Sequence, residues 1–482
     1  MNKFPKIALF LSSFWLILLF LFNKHYVDTL EAVESWFVAK GLIYYKDFAA
    51  YHFPLGKIVM IPIHHLTSWN FATIPIIGLF IGLSTLLLIY YFGKRFLSQK
   101  GTVAALLFFS FLYWYTATQI LYYHTQLLQF FLMGAIFLYF SLDQSKQKLS
   151  KFKIFFLGVL LSLTELTQQL ASVTILFFTI LVIILTLQRS SSRYEFAKNI
   201  TIFLLGGFIP LLILSIYFYL NNAFSDFYKW NIPYYLTYAH SPTAGIIPTD
   251  KLLIVYAPVA LLILIIVSAS KKLKIDLTLA CLAITTLPVI IFGVFHWYHV
   301  TYALPILTLC FGRVFSTTSS KLISIAKHTL LTILTISLIF IIIPWHLSQK
   351  GQPSLMIYND IQPGDGMYEA VLWTKTNTSE NSRFMVIGNS LFYVRSNRLP
   401  ASRPNKGIVY AWEPFNEVKK ELIAKPPDYW VIAHPYLRRM IPDYKKDYMV
   451  NFINQQLNNC YKQEYKNIGW EIWGKDITKK CS

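Results

Sequence analysis

Charged side chains are scarce in this sequence. Asp, Glu, Lys and Arg together make up 14% of the 482 residues, whereas hydrophobic residues make up 55%. A soluble globular chain carries roughly 25% charged residues, so this composition excludes an ordinary soluble domain for most of the chain. The apolar residues form runs long enough to cross a bilayer, which takes about 20 residues per helix. Only the segment 346–482 has ordinary charge and lacks such a run.

Cysteine and the motifs of bound cofactors are scarce as well. The sequence has four cysteines, and none has the spacing of metal ligands. No glycine-rich phosphate loop follows a strand-like run, which argues against a nucleotide-bound substrate. Cys460 and Cys481 lie in the charged C-terminal segment, where a disulfide and two separate thiols remain open alternatives. The sequence therefore identifies no cofactor.

Acidic residues are outnumbered, with 23 Asp and Glu against 43 Lys and Arg, which gives a formal net charge of +20. On a soluble protein this excess would suggest nucleic-acid binding. Here the basic residues lie mostly in short loops between apolar runs, the pattern of topology determinants and of contacts with anionic lipids. We therefore expect membrane lipids, and no nucleic acid, among the partners.

The apolar runs predict a polytopic α-helical membrane protein with about eleven transmembrane helices. The first run follows Lys3 and Lys6, but no cleavage site comes after it, so we interpret it as a retained helix rather than a signal peptide. The predicted spans are 7–23, 72–93, 102–119, 122–142, 154–170, 172–187, 199–220, 252–269, 277–295, 300–316 and 328–345.

Every second connection between these spans is short and basic. The second connection contains Lys94, Arg95 and Lys100, and the later even-numbered connections repeat the pattern. By the positive-inside rule these loops are cytoplasmic. The N-terminus is then cytoplasmic as well, while loops 24–70 and 221–250 and the C-terminal segment lie outside. We expect a multi-pass protein of the cytoplasmic (inner) membrane.

The first outer loop, 24–70, opens with an acidic, helix-like stretch. Leu30, Val33 and Phe37 recur at helical spacing and Gly41 predicts a C-cap, so the pattern favours an amphipathic helix on the outer membrane surface. Asp28 has two interpretations. It caps this helix, with Glu31 completing a capping box, or it is a general base placed just outside the membrane, and the two roles are compatible.

The order of motifs along the chain resembles the GT-C glycosyltransferases, in particular family 39-like enzymes such as protein O-mannosyltransferases and aminoarabinose transferases. The resemblance covers nearly the whole chain. It is carried by Asp28 after the first span, Gly41, Tyr45-Lys46-Asp47-Phe48, Pro54-Leu55, the run 164–169 (Thr-Glu-Leu-Thr-Gln-Gln) and the run 299–305 (His-Val-Thr-Tyr-Ala-Leu-Pro). The family usually has Asp-Glu where this sequence has Asp28-Thr29.

The resemblance implies an integral membrane enzyme that transfers a sugar from a polyprenyl-phosphate donor to an extracytoplasmic glycan, lipid or protein acceptor. It assigns Asp28 as the catalytic base of an inverting reaction. Many relatives have a second acid in the second outer loop, where this sequence has His124 and Gln126. That departure argues against a bound divalent metal, and inversion by one displacement needs only one carboxylate base.

Several polar residues are candidates for binding the donor, and each has a plainer alternative. Lys57, His52 and His299 are candidate phosphate ligands at the outer face. Lys57 alternatively snorkels towards lipid headgroups, His52 forms interfacial hydrogen bonds, and His299 belongs to an aromatic belt. Asp47 is a candidate for sugar hydroxyls, although turns favour Asp for their own reasons.

Glu165 and the second long outer loop complete the set of candidates. Glu165 lies inside a predicted span, where an ionisable group either lines the donor cavity or is a protonated carboxyl bonded between helices. In loop 221–250, Trp230, Tyr234 and Tyr235 are candidates for a sugar or acceptor platform, since aromatic rings stack on sugar faces. An interfacial aromatic loop is the alternative.

The C-terminal segment predicts a small α/β domain, because short strand-like runs alternate with helical stretches. The strand-like runs are 384–388, 429–433 and 470–473, and the helical stretches lie near 366–376, 414–424 and 444–459. We therefore divide the chain into a transmembrane catalytic domain, 1–345, and a soluble extracytoplasmic domain, 346–482.

Two other functions remain as alternatives to a glycosyltransferase. A transporter or lipid-glycan flippase typically shows internal repeats and broken spans at matching places, and the sequence has no clear repeat. A non-catalytic membrane scaffold would use the outer domain to bind a partner, and substitutions in loop 24–70 would then have no effect on catalysis.

Overall fold

The membrane part is a bundle of apolar helices. The computed structural model describes residues 3–22, 29–48, 53–69, 73–117, 123–144, 148–168, 171–231, 273–291, 297–316, 366–402, 415–433 and 443–479, with positions 233, 324, 325, 328 and 332. Its first twelve helices are α1 (Phe4–Phe22), α2 (Thr29–Ala39), α3 (Leu55–Leu66), α4 (Thr73–Phe96), α5 (Gln99–Ala117), α6 (Tyr123–Asp143), α7 (Lys151–Thr167), α8 (Ser172–Arg189), α9 (Arg193–Leu220), α10 (Phe224–Asn231), α11 (Leu273–Ile291) and α12 (Trp297–Ser316).

Nine of the predicted spans coincide with these helices, and the spans 252–269 and 328–345 fall outside the described residues. Within the described ranges, four helical stretches are both long and apolar enough to cross a membrane. They are Ile76–Phe96, Thr125–Asp143, Ser172–Arg189 and Arg193–Leu220. The total number of spans remains a prediction, and the polytopic helical architecture agrees with the sequence.

Close helix packing in the bundle depends on small residues where α7 crosses α9. A Cβ added at Gly158 would lie 2.2 Å from the Phe203 carbonyl oxygen, and one at Gly206 would lie 2.1 Å from the Phe155 carbonyl oxygen. Such distances leave no room for a side chain, so the two backbones touch directly. Small residues allow this approach in membranes, where van der Waals packing drives helix association.

The long loops gather at one end of the bundle. Tyr45 donates a hydrogen bond to Asn231 Oδ1 over 3.2 Å, and Lys46 Nζ donates to the Asn221 carbonyl over 2.9 Å. These bonds join the first outer loop to the start of loop 221–250. At the opposite end, the Ser98 amide donates to Ser316 Oγ over 3.0 Å, which joins two predicted cytoplasmic connections. Both sets of loops are therefore grouped as the charge pattern predicts.

The C-terminal region folds around a five-stranded mixed sheet. Its strands are β1 (Arg383–Ile387), β2 (Leu399–Pro400), β3 (Tyr429–Ala433), β4 (Tyr461–Lys466) and β5 (Trp470–Lys475), and its helices are α13 (Gly366–Asn377), α14 (Leu391–Ser396), α15 (Phe415–Ala424) and α16 (Asp443–Cys460). The strand order is β2-β1-β3-β5-β4. β2, β1 and β3 are parallel, whereas β5 is antiparallel to β3 and β4. The described elements between residues 366 and 479 have the α/β character that the sequence predicts, and the domain boundary near 345 falls outside the described residues.

The two faces of this sheet meet different partners, because successive strand residues point to opposite sides. Met385 and Trp430 face a cluster that includes α15 and α16. Phe384, Val386 and Val431 face the other way, into a cluster shared with the first outer loop. That loop and the C-terminal domain therefore lie on the same side of the bundle, as predicted.

The surface of α2 corrects one prediction. Its apolar residues Val33, Trp36 and Phe37 are buried by protein, and the Phe37 ring packs edge-on against Tyr393 of the C-terminal domain with centroids 5.5 Å apart. The helix therefore does not lay this face on the membrane surface. Periodicity reveals that a helix has an apolar face, but the same face suits lipid and protein equally.

Candidate active site at the outer end of the bundle

Two local signals in the sequence mark the ends of helix α2. It begins at Thr29, directly after Asp28, and Asp28 itself lies outside the described residues. It ends at Ala39, and Gly41 just beyond this end has a φ of +84°. The Gly41 amide donates to the Val38 carbonyl and the Leu42 amide to the Phe37 carbonyl, both over 3.0 Å. This is a Schellman motif, and the predicted C-cap is confirmed.

Helix α3 follows the Pro54-Leu55 segment and places Lys57 in its first turn. Pro54 is its N-cap residue, and the amides of Lys57 and Ile58 both donate to the Pro54 carbonyl. The helix packs against α6 and α7 within the bundle and against α2. Lys57 is thereby carried from the loop to the outer end of the bundle.

A buried ion pair joins these two helices. Lys57 Nζ lies 3.7 Å from Glu34 Oε2, and the Tyr44 hydroxyl donates to the same oxygen over 2.6 Å. Ser35 Oγ donates to the Lys57 carbonyl over 3.0 Å and ties α2 to the start of α3. Lys57 and Glu34 are only 1% and 2% exposed, so both charges have been taken out of water.

Such burial makes the pair costly to break. Removing one partner of a buried pair typically costs about 3–5 kcal/mol, because the other charge stays behind uncompensated. The separation of Lys57 and Glu34 is nevertheless longer than the roughly 2.7–3.2 Å of a good N–H···O hydrogen bond. The contact is therefore an ion pair rather than a direct hydrogen bond.

Three polar side chains crowd the outer ends of α6 and α7, next to α3. Gln126 and Gln168 are each 1% exposed, and within the described part of the chain neither amide group has a hydrogen-bond partner. Glu165 Oε1 accepts from Ser172 Oγ over 2.5 Å, while its Oε2 has no partner there. A buried amide without a partner costs free energy, so these groups are suited to a polar ligand.

Gln126 has its place because residue 78 is glycine. A Cβ at Gly78 would lie 2.5 Å from Gln126 Oε1. The side chain that stands where relatives were expected to have an acid thus lies against α4 at the outer end. Among the described residues, no three His, Cys, Asp or Glu side chains are grouped as metal ligands would be.

His64 shares the buried surface of α3 with Lys57. Its ring stacks on Trp69, with centroids 5.1 Å apart and planes 18° from parallel. Burial, together with the neighbouring charge of His65, lowers the pKa of His64 from 6.5 to about 4. His64 is therefore a neutral ring at physiological pH and adds no positive charge to the site.

The structure describes only some of the other candidate residues. Asp47 accepts a hydrogen bond from the Ile43 amide over 2.7 Å, the local bond that the turn interpretation predicts. Lys57 does not snorkel, because its amino group is buried beside Glu34. Outside the described residues lie Asp28, His52, Tyr234 and Tyr235, and the same is true of the side chains of Trp230, His299 and His124.

Sequence reasoning missed Glu34 and Tyr44 as site residues. Glu34 counted only as one of several acids in the loop, and Tyr44 only as part of an aromatic run. A signal was present, since Glu34 lies one residue after Val33 on the buried side of an otherwise amphipathic helix. An acid next to the apolar stripe requires a partner when the helix packs.

Comparison with known proteins gives a clear result for the fold alone. No protein-family model matches the sequence, and no curated protein matches it. Among solved structures, ArnT from Cupriavidus metallidurans bound to undecaprenyl phosphate is similar over 99% of both chains, with a TM-score of 0.61 and 10% identity. The apo state of the same ArnT is similar over 98% of this chain and 97% of its own, with a TM-score of 0.55 and 11% identity.

A second protein shows the same arrangement. The archaeal oligosaccharyltransferase AglB from Archaeoglobus fulgidus, in complex with an inhibitory peptide and a dolichol-phosphate, is similar over 98% of this chain and 74% of its own. Its TM-score is 0.53 at 11% identity. ArnT and AglB both belong to the GT-C superfamily, so the resemblance predicted from the sequence motifs is confirmed. The chain has the GT-C fold.

Proposed function

We propose that this protein is an integral membrane glycosyltransferase that takes a sugar from a polyprenyl-phosphate donor and transfers it to an acceptor outside the cytoplasm. The observation that carries the proposal is the fold shared over 99% of the chain with a structure that contains undecaprenyl phosphate. The second relative contains dolichol-phosphate, which has the same chemical class of lipid phosphate. The acceptor is a glycan, a lipid or a protein.

Lys57 is the proposed ligand of the donor phosphate. Its ammonium lies at the outer end of the bundle, in the first turn of α3, where the helix macrodipole also favours an anion. Glu34 balances the charge of this buried cation. Tyr44 fixes the orientation of the Glu34 carboxylate by its hydrogen bond.

Gln126, Gln168 and Glu165 are the proposed polar lining next to the donor. Two amides and a carboxyl group supply both donors and acceptors for sugar hydroxyls. The amide groups of Gln126 and Gln168 lack partners within the described residues, so a bound sugar would supply the bonds that burial has removed. These side chains lie on α6, at the C-cap of α7 and in its last turn.

Asp28 is the proposed general base. The acceptor oxygen attacks the anomeric carbon, its proton passes to the Asp28 carboxylate, and the bond from that carbon to the phosphate oxygen breaks. Polyprenyl phosphate leaves with the electron pair, and Lys57 stabilises the charge that develops on it. One displacement inverts the anomeric configuration and requires no second carboxylate.

The test is sugar transfer by the purified chain in proteoliposomes, with a radiolabelled polyprenyl-phosphate sugar as donor. Asp28→Asn should lower transfer by at least about 100-fold, which is the usual contribution of a general base. Asn caps a helix about as well as Asp does, so the thermal midpoint should not change. Unchanged activity of Asp28→Asn would remove the base from the mechanism.

Two matched variants separate the base from the cap. Asp28→Ala removes both roles and should also destabilise α2 by about 1 kcal/mol. Glu31→Gln changes an acid one turn further along the same helix and should keep its activity. If Asp28→Asn and Glu31→Gln lost activity equally, the effect would belong to the charge of the loop rather than to Asp28.

A further inference from the structure

A cavity lies between the first outer loop and the C-terminal domain. It has a volume of about 320 Å³ and opens to solvent. On one side it is lined by the end of α2 and the turn that follows α3, and on the other by α13 and α14. The lining residues are Trp36, Ala39, Lys40, His65, Ser68, Trp69, Lys375, Val394, Arg395 and Asn397.

The lining is positively charged. Lys40, Lys375 and Arg395 are permanent cations at neutral pH, and none of the described lining residues is acidic. Lys40 directly follows α2, whereas Lys375 lies on α13 and Arg395 on α14, so the cations converge only because the two domains meet here. A concave site lined by charges of one sign focuses its field and attracts the opposite charge.

Two tryptophans form the apolar part of the wall. Lys40 Nζ lies 5.4 Å from the centre of the Trp36 ring, so this cation is held over an aromatic face. The orientation of Trp69 depends on an unusual backbone conformation, since Ser68 and Trp69 have φ values of +50° and +60°. The left-handed region is costly for such residues. It directs the Trp69 ring onto His64 and into the cavity wall.

Cations combined with indole rings fit one class of ligand better than others. A simple anion needs no indole wall, and a neutral sugar needs no cation. A saccharide that bears a phosphate or a carboxylate uses both, with its charge on Lys375 and Arg395 and its apolar C–H face on an indole ring. The cavity is large enough for a compact ligand of this kind.

The position of the cavity connects it to the donor site. Glu34 and Lys40 lie six residues apart on the same helical segment, about 9 Å along its axis at 1.5 Å per residue. The same two helices, α2 and α3, therefore carry the Lys57–Glu34 pair at one level and the cavity at another.

We propose that this cavity binds the acceptor, and that the acceptor is an anionic saccharide carrying a phosphate or a carboxylate. The role as acceptor site rests on the proposed glycosyltransferase function, whereas the binding of an anionic sugar does not.

The binding test uses the full-length protein in phosphatidylcholine nanodiscs, without any polyprenyl donor, and isothermal titration calorimetry. The probes are glucose 1-phosphate, methyl α-glucoside and inorganic phosphate. Glucose 1-phosphate should bind about tenfold more tightly than either of the others, the factor expected for one additional charged or apolar contact. Lys375→Ala should weaken its binding by about tenfold as well.

Lys475→Ala is the matched control, because Lys475 is also an exposed lysine of the C-terminal domain but lies at the end of β5, away from the cavity. The affinity of the Lys475→Ala variant for glucose 1-phosphate should equal that of the unchanged protein. Equal effects of Lys375→Ala and Lys475→Ala would overturn the site. So would equal affinities for glucose 1-phosphate and methyl α-glucoside, or a lack of glucose 1-phosphate binding into the millimolar range.

Two further comparisons distinguish an anionic saccharide from inorganic phosphate and from a lipid headgroup. If inorganic phosphate binds as tightly as glucose 1-phosphate, the cavity recognises a bare ion and the saccharide is wrong. If replacing half of the phosphatidylcholine by phosphatidylglycerol abolishes glucose 1-phosphate binding, the cavity holds a lipid headgroup and the proposal is likewise wrong. Because no donor is present, binding can fail while sugar transfer persists, and transfer can fail while binding persists.

Discussion

Two buried ion pairs occupy opposite ends of the bundle. At the outer end, Lys57 Nζ lies 3.7 Å from Glu34 Oε2. At the inner end, Arg313 of α12 binds Asp276 of α11 through two hydrogen bonds, from Nε to Oδ1 and from Nη2 to Oδ2, the second over 3.2 Å. All four side chains are less than 10% exposed.

The pairs differ in the geometry of the contact between their charges. A guanidinium and a carboxylate joined by two parallel hydrogen bonds form a closed unit with fixed geometry. At the outer end, the ammonium lies at ion-pair distance from a carboxylate that also accepts from a tyrosine, without that bidentate geometry. The inner pair therefore suits a clamp between helices, whereas the proposed role of Lys57 at the outer end is to bind the donor phosphate.

The largest expected effect is on the inner pair. Arg313→Met leaves Asp276 buried without its cation and should destabilise the protein by about 3–5 kcal/mol. Thermal unfolding in detergent measures the loss, and sugar transfer per folded molecule should not change. Arg313→Met combined with Asp276→Leu should recover most of the stability, since an apolar replacement of both partners is often neutral. Lost transfer in the stable double variant would contradict a purely structural role.

Substitutions in the outer pair should affect the stability of the protein and its binding of the donor separately. Lys57→Met should destabilise the protein by about 2–3 kcal/mol, less than at the inner end, because Tyr44 still donates to the Glu34 carboxylate. It should also raise the KM for the donor by at least about tenfold, the value of one charged hydrogen bond. Unfolding and transfer kinetics are measured on the same preparation.

Glu34→Gln added to Lys57→Met tests whether the two pairs really differ. The double variant should regain stability, since no buried charge remains, but its donor KM should stay high. If stability and KM recovered together, the outer pair would be a clamp like the inner one, and the role of Lys57 in phosphate binding would be wrong.

The next largest expected effect is a pH dependence of the free energy of unfolding that comes from His64 at the outer end. The pKa of His64 is lowered from 6.5 to about 4 in the folded protein, so the unfolded chain binds more protons between these values. Stability is then complete above pH 6.5 and falls as the pH decreases, by about 2 kcal/mol at pH 5. Unfolding curves of His64→Phe should show a flatter slope from pH 6.5 to 4 than those of the unchanged protein. An unaltered slope would show that His64 is not the group responsible.

The smallest effects concern the caps of the two helices that carry the outer pair. Gly41 has a φ of +84°, and a Cβ added there would meet no atom within 4 Å. Gly41→Ala should therefore cost about 1 kcal/mol from backbone conformation alone. Ser68, with a φ of +50°, is the equivalent residue of α3, and Ser68→Gly should gain about 0.5–1 kcal/mol. If both variants changed the free energy of unfolding in the same direction, one of the two helices would not end in a Schellman motif.

Local pattern was enough to predict much of the fold. Strand β3 spans the predicted run 429–433, and helices α13, α15 and α16 lie within a residue or so of their predicted stretches. These elements have strong periodicity, which depends only on near neighbours in the chain. The strands β2 and β4 and the helix α14 were missed, because two to six residues carry too little periodicity to be recognised.

The candidate site was predicted only in part. Lys57 was identified from its place in a motif, but its partner Glu34 lies 23 residues away, on another helix. The loop between the two helices determines which acid meets the lysine, and periodicity holds no information about it. For the same reason the sequence could not show that the apolar face of α2 packs against Tyr393.

By itself the sequence determined the membrane class, the location of the apolar helices, the side on which the long loops meet and the α/β nature of the C-terminal region. Each of these follows from hydropathy, loop charge and repeat period, which act locally along the chain. Only the tertiary structure decided which charges pair, which amides are buried, and that two domains enclose a basic cavity. These features arise from residues far apart in sequence, and packing alone brings them within reach of one another.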